Sequence, residues 1–61
     1  MTGIEVLRLM PEDNYVWLTY HNNFHMANSV KQMLLYESLP LGNEVKSIAI
    51  TNDNRFEIVL E

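Results

Sequence analysis

The run from Asn23 to Leu39, N-F-H-M-A-N-S-V-K-Q-M-L-L-Y-E-S-L, is the only stretch of this chain with a helical period. Met26, Val30, Met33 and Leu34 recur at three- and four-residue steps, and Ala27 widens the stripe. Asn23 offers an N-cap, and Pro40 forces the helix to end near Ser38 or Leu39. A later start, capped by Asn28, also fits, because Asn28-Ser29 is poor helix interior. The longer helix is preferred because it keeps Met26 and Ala27 on the stripe. Phe24, Leu35, Tyr36 and Leu39 fall off that face, so the helix carries a second apolar edge. Apolar surface left over after folding usually meets a partner.

The flanks alternate or turn, as strands do. Ile4 to Met10 reads as a first strand, with apolar residues on both faces, and Pro11-Glu12-Asp13-Asn14 as a turn. Tyr15 to Tyr20 reads as a second strand, with Tyr15, Trp17 and Thr19 on one face and Val16, Leu18 and Tyr20 on the other. Those two strands are expected to form an antiparallel hairpin. Val45 to Thr51 is a third strand, Asn52-Asp53-Asn54 a hairpin loop, and Arg55 to Leu60 a fourth strand with Phe56, Ile58 and Leu60 inward. The predicted class is α+β: a small antiparallel sheet in the order β-β-α-β-β, with one helix across it. Residues 1–61 are expected to form a single domain.

At 61 residues such a chain buries only about 60% of the surface its unfolded form exposes. It has no cysteine, so oligomerisation is the remaining staple. Met1-Thr2-Gly3 lacks the basic start of a signal peptide, and no apolar run reaches the ~20 residues of a membrane span. A cytoplasmic protein without a membrane partner is the expectation. Eight acids against four bases give a net charge of −4. Arg8, Lys31, Lys46 and Arg55 are scattered singly, which argues against direct nucleic-acid binding. An acidic surface suits a basic partner, or a protein whose own partner is DNA. It also suits plain solubility.

Catalytic chemistry finds little material. His21 and His25 have metal-ligand spacing, but His21 precedes the expected helix start and no cysteine or carboxylate lies near. Ser29, Ser38 and Ser47 lack a defined base, and Gly3 and Gly42 are too few for a phosphate-binding loop. The chain is expected to be a non-enzyme that needs no cofactor. Tyr15, Trp17 and Tyr20 could stack bases only beside a basic groove, which is missing, so core packing or a protein interface suits them better. Tyr36, off the main stripe, suits an edge or interface.

Three short motifs carry a resemblance. Tyr20-His21 closes the aromatic strand, Leu35-Tyr36 sits in the helix, and Glu44-Val45 opens the next strand. In these motifs, over roughly residues 5–51, the chain resembles the small uracil-DNA glycosylase inhibitors of phi29-like Bacillus phages. Gln32 and Met33 stand where that family's helix carries a phenylalanine and a glutamate, and the spacing from Tyr20-His21 to the helix is longer. The resemblance implies a phage-encoded homodimer acting in the host cytoplasm by DNA mimicry. Carboxylates would replace phosphates, and an apolar socket would capture the wedge residue that the glycosylase pushes into the minor groove. Val30, Met33, Leu34 and Tyr36 would line the socket, with Glu37, Glu44 and acids of the first hairpin at its rim. Phe24 or Met33 would replace the missing aromatic wall. Two alternatives stay open: an acidic inhibitor of another nucleic-acid enzyme, such as a nuclease or CRISPR effector, and a dimerisation module without inhibitory role.

Overall fold

The computed structural model describes residues 1–20, 24–53 and 55–61, with the side chain of Phe24 excepted. Its elements run α1 (Gly3–Arg8), β1 (Tyr15–Tyr20), β2 (Phe24–Ser29), α2 (Val30–Leu35), β3 (Val45–Ile50) and β4 (Phe56–Leu60). The class is α+β. The four-stranded sheet has the order β2-β1-β4-β3 and is mixed, because β1 and β4 run parallel at its centre. Both helices contribute to the core on one side of the sheet.

Two elements correct the expectations from sequence. The predicted first strand is a helix. Thr2 caps it: its hydroxyl accepts from the Glu5 amide at 3.4 Å, while the Thr2 amide donates to Glu5 Oε1 at 2.9 Å. Two further amides of this short helix donate to the 41–43 turn, Gly3 to Asn43 O at 3.0 Å and Ile4 to Leu41 O at 2.9 Å. Donors at a helix start lack intrahelical partners, so these bonds hold a helix too short to persist alone.

The predicted long helix is divided. Residues 24–29 pair antiparallel with β1, from Tyr20 opposite Phe24 to Tyr15 opposite Ser29, so the first hairpin is β1–β2. The helix proper begins at Val30, capped by the Ser29 hydroxyl, which accepts from the Gln32 amide at 3.2 Å. The next donors are met by the 11–14 turn: Val30 N–H bonds Asn14 O at 2.8 Å and Lys31 N–H bonds Glu12 O at 2.9 Å. The start is therefore closer to the later alternative than to the long helix. His21, Asn22, the expected cap Asn23, and Asn54 of the hairpin loop lie outside the described residues.

The core joins Val6 and Leu7 of α1, Val30 and Met33 of α2, Val16, Leu18 and Tyr20 of β1, Ile58 and Leu60 of β4, and Leu41. β3 and β4 form the predicted hairpin, Ile48 opposite Ile58 and Ile50 opposite Phe56, with the register shifting between Val45 and Ser47. That irregularity sets Val45 opposite Leu60, so Val45 packs against the core although it precedes an outward-facing Ser47 by two residues.

Candidate functional site: the open sheet face

Strand alternation sends every second side chain to the face that the helices leave bare. On β1 these are Tyr15, Trp17 and Thr19. His25 stands opposite Thr19 on β2, and Glu57 opposite Trp17 on β4. Ala49 of β3 pairs with Glu57, completing the row. Tyr15 and Trp17 remain exposed, because no helix covers this side.

The exposed aromatics are held by polar neighbours. The Trp17 and His25 rings sit 6.2 Å apart, tilted by 46°, and His25 Nδ1 lies 3.0 Å from the Thr19 hydroxyl. At the other end, the Arg55 guanidinium lies over the Tyr15 ring, 4.9 Å from its centroid, within cation–π range. Asp53 holds the same arginine, Oδ2 to Nε at 3.4 Å. The Thr51 hydroxyl donates to Asp53 and accepts from the Arg55 amide at 3.1 Å, which fixes the β3–β4 turn. Hydrogen bonding from Thr51, with the Asp53 backbone amide and Arg55 adding to it, holds the Asp53 carboxyl below its ordinary pKa. Trp17, Thr51, Asp53, Arg55 and Glu57 together line an open groove of about 320 Å³.

The residues singled out from sequence do not converge on one surface. Val30 and Met33 are fully buried among the core side chains, so in this fold they line no surface socket. The reason is the shortness of α2: it has one face to bury, and they are that face. Leu34 is half-buried against the core. Tyr36, where α2 ends, is exposed, as are Leu35 before it and Glu37 after it. Glu44 is exposed just before β3, its Oε2 2.9 Å from the Met1 amino group, at the bridge between Thr2 and Glu44.

A second exposed apolar strip runs along the outer strand β3. Ile48 and Ile50 share the core-side face with Ile58 and Phe56, yet they are 48% and 67% exposed because neither helix reaches them. Sequence reasoning placed both in the third strand and gave them no role. Their signal was positional: only the strand order shows that β3 is an edge. Among the described residues no helix is long and apolar enough to cross a membrane. No protein-family model matches the chain, and neither a curated protein nor a solved structure matches it.

Proposed function

We propose that this protein acts by binding rather than by catalysis, as an acidic cytoplasmic inhibitor of a nucleic-acid enzyme, with uracil-DNA glycosylase the target its phage-inhibitor resemblance indicates. The observation that carries this reading is a surface of carboxylates left without cations. Glu5, Glu12, Asp13, Glu37, Glu44, Asp53 and Glu61 are all exposed. The ion pairs among the described residues engage only Glu44 and Asp53, and Glu44 takes the amino terminus rather than a basic side chain. A basic DNA-binding groove attracts such a surface from a distance and then desolvates it.

Apolar contact would come from Leu35 and Tyr36, which protrude beside Glu37 at the end of α2. A wedge residue needs such an apolar receptor next to acids that stand in for phosphates. The homodimer belongs to the same proposal, and its seam is the β3 edge. The Thr51 amide bonds Arg55 O within the hairpin, so by alternation the outward-pointing backbone groups of β3 beyond its register shift belong to Ile48 and Ile50. Antiparallel pairing with a second copy, centred on Ala49, sets each Ile48 opposite the other copy's Ile50. It pairs the open edge and covers both isoleucines at once.

The test is a uracil-excision assay with a bacterial glycosylase, titrated with this protein. Stoichiometric inhibition is expected. Replacing Tyr36 with alanine should weaken it by about 2 kcal/mol, roughly thirtyfold, as for an interface hot spot. Full glycosylase activity at micromolar excess would remove that target. Replacing Glu37 and Glu44 together with glutamine should lower affinity and salt sensitivity in parallel, whereas a plain dimerisation module would be indifferent to the change.

A further inference from the structure

The open face sets an aromatic ring beside a carboxylate at two places. Arg55 lies over the Tyr15 ring with Asp53 against its guanidinium. Two residues along β1, Trp17 is 40% exposed, and its cross-strand neighbour is the carboxylate Glu57. Among the described residues no cation pairs with Glu57. The aromatic ring and the carboxylate border the same groove, which is large enough for a side chain and open to solvent. His25 flanks the indole from the β2 side, so the groove side, toward β4, is the free approach. Indole is the best cation–π partner among the side chains, and a neighbouring carboxylate adds directional hydrogen bonds to a planar guanidinium.

We propose that the Trp17–Glu57 groove is a seat for an arginine side chain presented by a basic protein partner. The chosen occupant is guanidinium rather than ammonium. A planar guanidinium can lie over the indole and still direct N–H groups toward Glu57, as Arg55 lies over Tyr15 with its Nε toward Asp53. The seat gives the acidic protein a specific contact in addition to its diffuse charge. It deepens the inhibitor reading but does not need the glycosylase as its target, and the two fail separately: the enzyme can be inhibited while this groove stays empty.

Trp17 is the only tryptophan, so its fluorescence reports on this groove alone. The probe is a blocked Gly-Arg-Arg-Gly peptide, with the neutral citrulline and the lysine peptides as comparisons. A saturable change in Trp17 emission is expected with the arginine peptide. Binding should be at least tenfold weaker with citrulline and at least threefold weaker with lysine. Glu57→Gln should weaken the arginine peptide about fivefold. Glu12→Gln, which removes the same charge from the 11–14 turn outside the groove lining, should change it less than twofold. An unsaturating response, equal binding of citrulline or lysine, or equal losses in the two variants would each overturn the seat. If Glu57→Gln does not fold, amide shifts of the wild-type protein decide the matter. Titration must then move Trp17, Arg55 and Glu57 and leave α1 unmoved, and a uniform or absent response refutes the proposal.

Discussion

Met33 lies on the periodic stripe of the sequence and in the centre of the folded core, and its replacement separates those two roles. Its side chain is fully buried beneath α2. Met33→Ala removes three heavy atoms beyond Cβ, which at about 0.8 kcal/mol for each methylene-sized group is a loss near 2.4 kcal/mol. The space left behind raises the cost, within the range of about 2–5 kcal/mol typical of such truncations. A 61-residue domain has a total stability of roughly 3–9 kcal/mol. The variant should therefore be barely folded. Tyr36→Ala is the matched comparison, since Tyr36 is 47% exposed and its loss should cost under about 1 kcal/mol. Thermal melts followed by circular dichroism give the answer. One kcal/mol moves the Tm of so small a domain by about 4–8 °C, so Met33→Ala should fall by at least ~10 °C and Tyr36→Ala by only a few. Nearly native stability for Met33→Ala, with a large loss for Tyr36→Ala, would mean that α2 presents its other face to the sheet and that the core described above is wrong.

Three further outcomes follow from the same packing. Ile48→Lys should abolish the dimer in sedimentation experiments and leave monomer stability within about 0.5 kcal/mol, because the side chain is already half exposed; a wild-type protein that stays monomeric at high concentration would exclude the β3 seam. Gly3→Ala should destabilise by about 1 kcal/mol or more in urea unfolding, despite alanine's better helix propensity, because the new Cβ would sit 3.0 Å from Leu60 Cδ2 and 3.3 Å from the Leu41 carbonyl oxygen. The Thr2 amide, and then its hydroxyl, hold the Glu5 carboxyl below its usual 4.5, so this group's contribution is complete above pH 4.5 and is lost as the pH falls through the lower folded value; Glu5→Gln should flatten the acid side of the urea-midpoint profile, and an unchanged slope would show that the cap does not form in solution.

The strands that alternate cleanly could be read in advance, and the helices could not. Val16, Leu18 and Tyr20 face inward on β1, and Phe56, Ile58 and Leu60 pack on the core side of β4, as strict alternation requires. The long helix failed because four residues is a step that both periods accept: Met26 and Val30 share a face in a strand as readily as in a helix. What decided the matter was pairing with β1, a contact between segments that no local pattern contains. Asn28-Ser29 was the local clue, and Ser29 proves to be the cap. At the other end a capping box stands in the letters, Thr2 followed three residues later by Glu5, and it is the local signal that the strand reading of Ile4 to Met10 passed over. Of the site, the aromatics of β1 were visible as a face. Their grouping with Asp53, Arg55 and Glu57 depends on β4 lying beside β1, and that neighbour relation is a property of the whole topology. Of the surplus edge assigned to the helix, Leu35 and Tyr36 are exposed, Leu39 is half-buried against the core and the Phe24 side chain lies outside the described residues, while Val30 and Met33 of the main stripe are buried as that stripe requires.

The parallel contact between β1 and β4 fixes when the protein can fold. The centre of the sheet joins residues 16–19 to residues 56–59, about two thirds of the chain's length apart. Hairpins β1–β2 and β3–β4 can each close locally, but the core side chains of β1 and β4 meet only when the two are joined. On a nascent chain the centre of the sheet therefore stays open until residues 56–59 have been made. Closing such a distant contact is slow for a chain this short. The interval exposes the β3 edge and its isoleucines to other chains, so yield during expression should depend on how crowded with its own copies the newly made protein is.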